Sequence, residues 1–388
     1  MDIATAPVLE LQGRPDRHAT DPEESNERTP EVHFGGPDRQ PRALRNILEA
    51  RINAVRAGGS IDWMTYYFRD GRLADALVRA HRRGVKVRVC VEGKPRLGMA
   101  NKDVIKRLLD PSSGIGSGLQ VVKHLLPLHL HSKIYCFSDP QPTALVGSFN
   151  PSGIAHEPDW VIGEIGDQDR GHNLLVELND PAIVSRLAER VAALHESRGS
   201  FAYRRHSADA SFAHEGLEAV FFPLLGRNPL ISKLGELRAG STVRIAASHV
   251  RDPFVARTLG RLVKRGVEVT ILTGHTMRRT PRRTERYLLD HGVKVFRFAN
   301  RDGFPMHAKF ILTEGPEGRW CAFGSFNLTL TSRWLNHELL MFSSDAPLWH
   351  QLSERWSEIL AFSECRTTQR ATGPSALAGL LEPQVRGI

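Results

Sequence analysis

Long apolar runs are missing from this sequence. Its 388 residues contain no stretch approaching about 18 uninterrupted apolar side chains, so no membrane-spanning helix is expected. Cysteine is scarce: Cys90, Cys136, Cys321 and Cys365 lie far apart and form no C-x-x-C spacing. That excludes a zinc or dithiol motif and leaves reduced, buried thiols as the plain reading. The first 30 residues lack the basic start and apolar middle of a secretory signal, so a cytoplasmic location is expected. What is present, 41% hydrophobic and 24% charged residues, is the composition of a chain able to bury a sizeable core. Its length predicts two or three domains.

Positive charge predominates but is unevenly placed. The formal charge is +9, yet residues 1–40 hold nine acids against four arginines, with five prolines and no periodic apolar pattern. They are expected to form a disordered acidic tail. The remainder carries a surplus of 14 bases, which favours anionic partners such as phosphodiesters or an anionic lipid surface.

From about Ala43 the pattern is regular. Leu44, Ile47, Leu48, Ile52 and Val55 recur at helical spacing, and Gly58-Gly59 closes that helix. The run Ile61 to Phe68 reads as a buried strand. A second helix carries Leu73, Ala76, Leu77 and Ala80 on one face and stops at Arg83-Gly84, before a strand over Val85 to Val91. This alternation marks an α/β layer.

The order then returns. Arg83-Gly84-Val85 recurs as Arg265-Gly266-Val267 at an offset of 182, and His131-Ser132-Lys133 as His307-Ala308-Lys309 at 176. Gly147-Ser148-Phe149-Asn150 recurs as Gly324-Ser325-Phe326-Asn327 at 177, and Leu174-Leu175-Val176 as Leu339-Leu340-Met341 at 165. Four landmarks in one order, with drifting offsets, imply two similar α/β halves that differ in loop length. The first is expected over 41–200 and the second over 225–365, joined within 195–225, with a C-terminal tail over 366–388.

The repeated residues also make chemical sense together. In a strand, the His and Lys of H-x-K point to one face. A Gly-Ser-x-Asn turn adds a hydroxyl and a carboxamide where the backbone approaches closely. Lysine and asparagine donate to phosphate oxygens, while imidazole attacks phosphorus or moves a proton near neutral pH.

On these residues the chain resembles the phospholipase D superfamily, whose signature is H-x-K followed by G-S-x-N. The resemblance covers about residues 43–362 and is closest over His307 to Lys309, Gly324 to Thr329 and Asn336-His337-Glu338. It implies two tandem α/β/α domains, each with a central mixed sheet, packed as a pseudo-twofold dimer within one functional monomer. It also implies a phosphohistidine mechanism without metal or other cofactor, with His131 favoured as nucleophile and His307 as acid/base. Lys133, Lys309, Asn150 and Asn327 would hold phosphate oxygens, with Ser148 and Ser325 as secondary candidates. Glu338 would orient a histidine.

The pattern has departures. The Asp usual seven residues after the histidine is Ser138, with Asp139 next, in the first half and Glu314 in the second. Asn173 aligns with Glu338, so the first half lacks the downstream acid unless Glu157, Asp159 or Glu164 supplies it. His129 and His124 suggest a metal site, but no carboxylate or cysteine spacing supports one. Trp63, Tyr66, Tyr67 and Phe68 line a pocket or, equally, pack in the core. Arg278, Arg279, Arg282, Arg283 and Arg286, with Lys94, Arg96 and Lys102 at the matching place, flank an anionic entrance or form a solvated charged face.

The function expected is therefore a phosphodiesterase or phosphatidyltransferase acting on anionic phospholipid, with peripheral contact at the inner membrane face. A two-motif nuclease or DNA-repair phosphodiesterase, with nucleic acid as partner, is the alternative. A non-catalytic binder on the same scaffold is the third reading.

Overall fold

The computed structural model describes residues 29–123, 128–153, 158–197, 210–275, 277–298 and 304–366, the last three without their side chains. The first half comprises β1 (Glu31–Gly35), α1 (Ala43–Ala54), β2 (Ser60–Thr65), α2 (Gly71–Arg82), β3 (Lys86–Glu92), α3 (Lys102–Leu108), β4 (Leu119–Val122), β5 (Ile134–Phe137), β6 (Thr143–Gly147), α4 (Asp159–Ile165), β7 (Asn173–Leu178) and α5 (Pro181–Glu196). The second comprises β8 (Phe212–His214), β9 (Leu217–Phe222), α6 (Pro229–Gly235), β10 (Thr242–Ala247), α7 (Pro253–Lys264), β11 (Glu268–Gly274), α8 (Arg282–Asp290), β12 (Lys294–Phe298), β13 (Lys309–Gly315), β14 (Gly318–Gly324), α9 (Leu330–Trp334), β15 (Glu338–Ser343), α10 (Ala346–Ala361) and β16 (Ser363–Arg366).

The strands form two mixed sheets with one shared core order. The first runs β1-β7-β6-β5-β2-β3-β4, and the second runs β16-β12-β11-β10-β13-β14-β15-β9-β8. The β7-β6-β5-β2-β3-β4 order is thus repeated as β15-β14-β13-β10-β11-β12, which makes this α/β architecture two copies of one unit. The repetition extends to the local signals. Asp70 caps α2 by accepting from Leu73 N, and Asp252 caps α7 by accepting from Phe254 N, 182 residues apart. Asp180 and Asp345 cap α5 and α10, 165 residues apart. These are the offsets of the neighbouring sequence landmarks, as expected when cap and strand are inherited as one block. Gly84 and Gly266 both have positive φ, at +90° and +86°, the conformation that lets each chain leave its helix and enter the next strand.

Two sequence expectations are corrected at the edges. β1 lies inside the stretch read as tail. Its Val32 is buried and its backbone pairs with β7 from Glu31↔Glu177 to Gly35↔Asn173; a five-residue edge strand is too short for a periodic signal to stand out. The rest of that stretch, 1–28, lies outside the described residues, as do 367–388 of the C-terminal tail. β8 and β9 lie ahead of residue 225, the expected start of the second half, and β9 pairs with β15 along its length.

One apolar cluster joins the halves. It contains Ile134, Val146 and Val176 of the first sheet, Phe310, Phe323 and Met341 of the second, and residues of α5 and α10. Separate cores lie on the outer face of each sheet, under α1 and α2 in one and under α6 and α7 in the other. Cys90, Cys136 and Cys321 are buried free thiols.

Candidate active site

The two H-x-K motifs do not begin strands at their histidines. β5 starts after Lys133 and β13 starts at Lys309, so His131 and His307 lie on lead-in segments that pair across the halves instead. Leu130 bridges His337, and Met306 bridges His172. His131 N donates to His337 O and His337 N to His129 O, each at 2.9 Å. In the symmetric place His307 N donates to His172 O and His172 N to Pro305 O, again at 2.9 Å. The partners of these backbone groups lie in the other half, which local periodicity cannot reveal.

This pairing crosses the side chains over. His131 Nδ1 lies 2.8 Å from Glu338 Oε2, and His307 Nδ1 lies 2.8 Å from Asn173 Oδ1. Each half therefore orients the histidine of the other. Asn173 Nδ2 donates to Gln168 O at 2.9 Å, which turns its Oδ1 toward His307 and makes the imidazole Nδ1–H the donor. In both rings the Nε2 atom is then the one left for chemistry. Of the three first-half acids, neither of the two described, Asp159 and Glu164, stands in for Asn173. Asp159 is exposed, Glu164 is exposed and pairs with Arg96 at 3.1 Å, and Glu157 lies outside the described residues.

The Gly-Ser pairs hold the orienting side chains. Ser148 Oγ donates to Asn173 Oδ1 at 3.0 Å and accepts from Leu174 N at 3.0 Å. Ser325 Oγ donates to Glu338 Oε2 at 2.6 Å and accepts from Leu339 N at 3.0 Å. Ser332 Oγ adds a bond to Glu338 Oε1 at 2.7 Å. The glycines are required by contact: a Cβ on Gly147 would lie 2.2 Å from Leu174 O, and one on Gly324 2.3 Å from Leu339 O. Because the clash is with backbone, the orienting strand must move. Gly147→Ala is expected to cost about 3 kcal/mol, seen as a lower denaturant midpoint with an unchanged slope.

Burial sets the electrostatics. It lowers His131 to about 4 although Glu338 pulls the other way, and lowers Lys133 to about 7. It likewise holds His307 and Lys309 well below their usual values, reinforced at His307 by Lys309 and then Lys133, and at Lys309 by Lys133. Burial alone would raise Glu338, but His131 and Lys133 hold it below the usual carboxylate range. The groups of the two halves thus act on one another across one site. Lys133 and Lys309 each donate to the carbonyl of their own motif histidine.

The remaining candidates are also placed. Asn150 is buried, accepting from Tyr67 N at 3.2 Å, and Asn327 lies beside His249. Trp63 and Phe68 pack in the core at 5.4 Å, whereas Tyr66 turns to the site, its ring 5.1 Å from His131. The basic run divides. Arg278 binds Glu164, while Arg279 is buried and donates to Met306 O at 3.0 Å and to Ile165 O at 3.2 Å. Arg279, read from the sequence only as one charge in a run, therefore joins the lead-in segment of His307 to α4 of the other half. Asp139 is held by Ser138 and Arg56, and Glu314 by Arg319, away from the histidines.

Among the described residues, two groups come close enough to share a metal ion: Glu31, His33 and Glu177, and Asp180, His214 and Glu215. Neither contains a motif histidine. His129 Nδ1 lies 3.9 Å from Glu92, and His124 lies outside the described residues.

The chain belongs to the cardiolipin synthase-like branch of the phospholipase D-like proteins: the family model described as "Cardiolipin synthase, PLD-like domain" matches residues 49–194 and again 234–360. Among solved structures, it is similar to phosphatidylserine synthase from Haemophilus influenzae Rd KW20, with a TM-score of 0.62 and 12% identity over 86% of this chain and 87% of that one. It is also similar to polyphosphate kinase from Porphyromonas gingivalis, with a TM-score of 0.59 and 15% identity over 87% of this chain and 48% of that one. At these identities the likeness is one of fold. No curated protein sequence matches the chain.

Proposed function

We propose that this protein is a phosphodiesterase or phosphatidyltransferase acting on phospholipids through a phosphohistidine. The observation that carries the reading is the crossed pairing, His131 with Glu338 and His307 with Asn173. It gives the two histidines unequal partners, and the unequal partners suit unequal tasks.

His131 is the nucleophile. Its Nε2 bonds to phosphorus as the bond to the leaving oxygen breaks, and the carboxylate of Glu338 offsets the positive charge that the ring acquires. His307 is the general acid. A neutral amide accepts its Nδ1–H, so its imidazolium is a stronger acid than a carboxylate-paired one and delivers its Nε2 proton more readily to the leaving alkoxide. Water or an acceptor alcohol then attacks phosphorus, its proton passes to His307, and the bond to His131 breaks. Lys133, Lys309, Asn150 and Asn327 hold the phosphate oxygens. Entry of the phosphodiester anion offsets the positive potential of the lysines and Arg279, which lets His307 take up the proton it must donate.

The test is turnover by the full chain, with chelator present, on phosphatidylglycerol vesicles plus glycerol and separately on single-stranded and duplex oligonucleotides. Phosphatidic acid or a transferred phosphatidyl product, with the oligonucleotides intact, is expected. Oligonucleotide cleavage without lipid turnover would replace this reading by the nuclease one.

A further inference from the structure

The segments leaving the catalytic edge of both sheets carry exposed apolar side chains. Phe222 pairs with Glu338, so the loop after β9 leaves at the level of the site, and Leu225 on that loop is 94% exposed. Ala247 pairs with Lys309, and α7 starts just beyond, with Phe254 42% exposed in its first turn. In the first half, Glu92 ends β3 and accepts from Leu130 N, next to His131. The loop that follows carries Met99, 59% exposed, and α4, between Asn150 and Asn173, carries Trp160, 54% exposed. Arg96 and Arg278, from opposite halves, both bind Glu164 of α4 and so tie these segments together.

Cationic groups sit beside the apolar ones. Arg227, Arg257, Arg261 and Arg333 line an open groove of about 640 Å³ with Phe254 and Trp334. Arg257 lies over the Phe254 ring and Arg333 over the Trp334 ring. Apart from those rings, Arg261 reaches Thr258 and Arg333 the Gly226 carbonyl. None of the four forms an ion pair with an acidic side chain among the described residues. An exposed apolar side chain such as Phe254 beside guanidinium groups without carboxylate partners matches the layering of an anionic bilayer, whose phosphates lie above its acyl chains. Leucine and methionine gain from entering that apolar layer but offer no ring for stacking on a nucleobase.

We propose that this edge is a docking face for an anionic lipid surface. Leu225, Phe254, Trp160 and Met99 enter the apolar boundary, and Arg227, Arg257, Arg261 and Arg333 meet the phosphates. The proposal rests on the lipid reading above, and it places the histidines at the surface where their substrate lies. Among the described residues no helix is long and apolar enough to cross a membrane, so docking would be peripheral for this part of the chain.

The experiment is co-sedimentation of the full chain with vesicles of phosphatidylglycerol and phosphatidylcholine in equal parts, with phosphatidylcholine alone, and with a single-stranded oligonucleotide as competitor. It is run for the wild type, Leu225→Asp/Phe254→Asp and Arg257→Glu/Arg261→Glu. Turnover of dibutyrylphosphatidylglycerol, dissolved as monomers, is measured alongside. Each double variant is expected to lose about tenfold or more in affinity for the mixed vesicles while keeping wild-type turnover of the monomeric substrate. Equal vesicle binding by all three proteins would overturn the proposal, as would binding of the oligonucleotide alone that is lost in the same variants. Absence of monomer turnover together with variant-sensitive vesicle binding would sink the lipid-enzyme reading and leave the docking face standing.

Discussion

His131→Asn is expected to lower turnover of every phosphodiester by about 10,000-fold or more, because no other group replaces the nucleophile. His307→Asn should behave differently according to the leaving group. With an alkoxide, loss of the acid costs about 100- to 10,000-fold. With p-nitrophenolate, which departs without a proton, the first step survives. The second step still needs a base for the acceptor, so His307→Asn should release one equivalent of p-nitrophenol and then stall. An alkaline quench followed by peptide mass spectrometry would locate the phosphoryl adduct on the peptide holding His131. A burst in His131→Asn instead, with the adduct on the peptide holding His307, would reverse the assignment. The prediction rests on the unequal partners of the two rings, Glu338 at 2.8 Å from one and Asn173 at 2.8 Å from the other.

The repeat was legible because each half had to satisfy the same local chemistry. The glycine after α2 and after α7 and the aspartate caps answer demands made within a few residues, the Gly-Ser pairs answer the next strand of their own half, and all recur in the sequence at offsets of 165 to 182. The crossing was not legible. Glu338 and His131 are 207 residues apart, and what brings them together is the pairing of Leu130 with His337, an interaction between two short irregular segments. The sequence identified Asn173 as the residue facing the place of Glu338 in the alignment of the halves, but not as the partner of His307. Asn173 was read as the absence of an acid, and structurally it is a hydrogen-bond acceptor already held by Ser148. Arg279 was hidden for a different reason: in a run of exposed arginines, nothing in composition marks the one that turns inward. β1, at the edge of its sheet, and β9, between β15 and the three-residue β8, escaped because strands of five and six residues are too short for their own alternation to stand out.

Glu338→Gln tests the crossing most directly. The carboxylate accepts from His131, Ser325 and Ser332, and an amide of the same shape keeps an acceptor for His131, so the fold is expected to persist. What goes is a negative charge buried with His131, Lys133 and Lys309, and with it the stabilisation of the cationic phosphohistidine. A loss of about 1,000-fold in kcat with little change in KM is expected. The pH profile separates this from structural damage. Glu338 raises the affinity of His131 for a proton against the effect of burial; without it the pKa of that ring falls further, and the acid limb governed by His131 moves to lower pH even as the plateau drops. Asn173→Asp should do the opposite to the other ring. A carboxylate beside His307 stabilises its imidazolium, raises its pKa and carries the basic limb to higher pH. Both shifts depend on each orienting residue acting on the histidine of the other half. If Glu338→Gln moved only the basic limb and Asn173→Asp only the acid one, the roles of the two histidines would be exchanged; if neither limb moved, the pairing would have no part in catalysis.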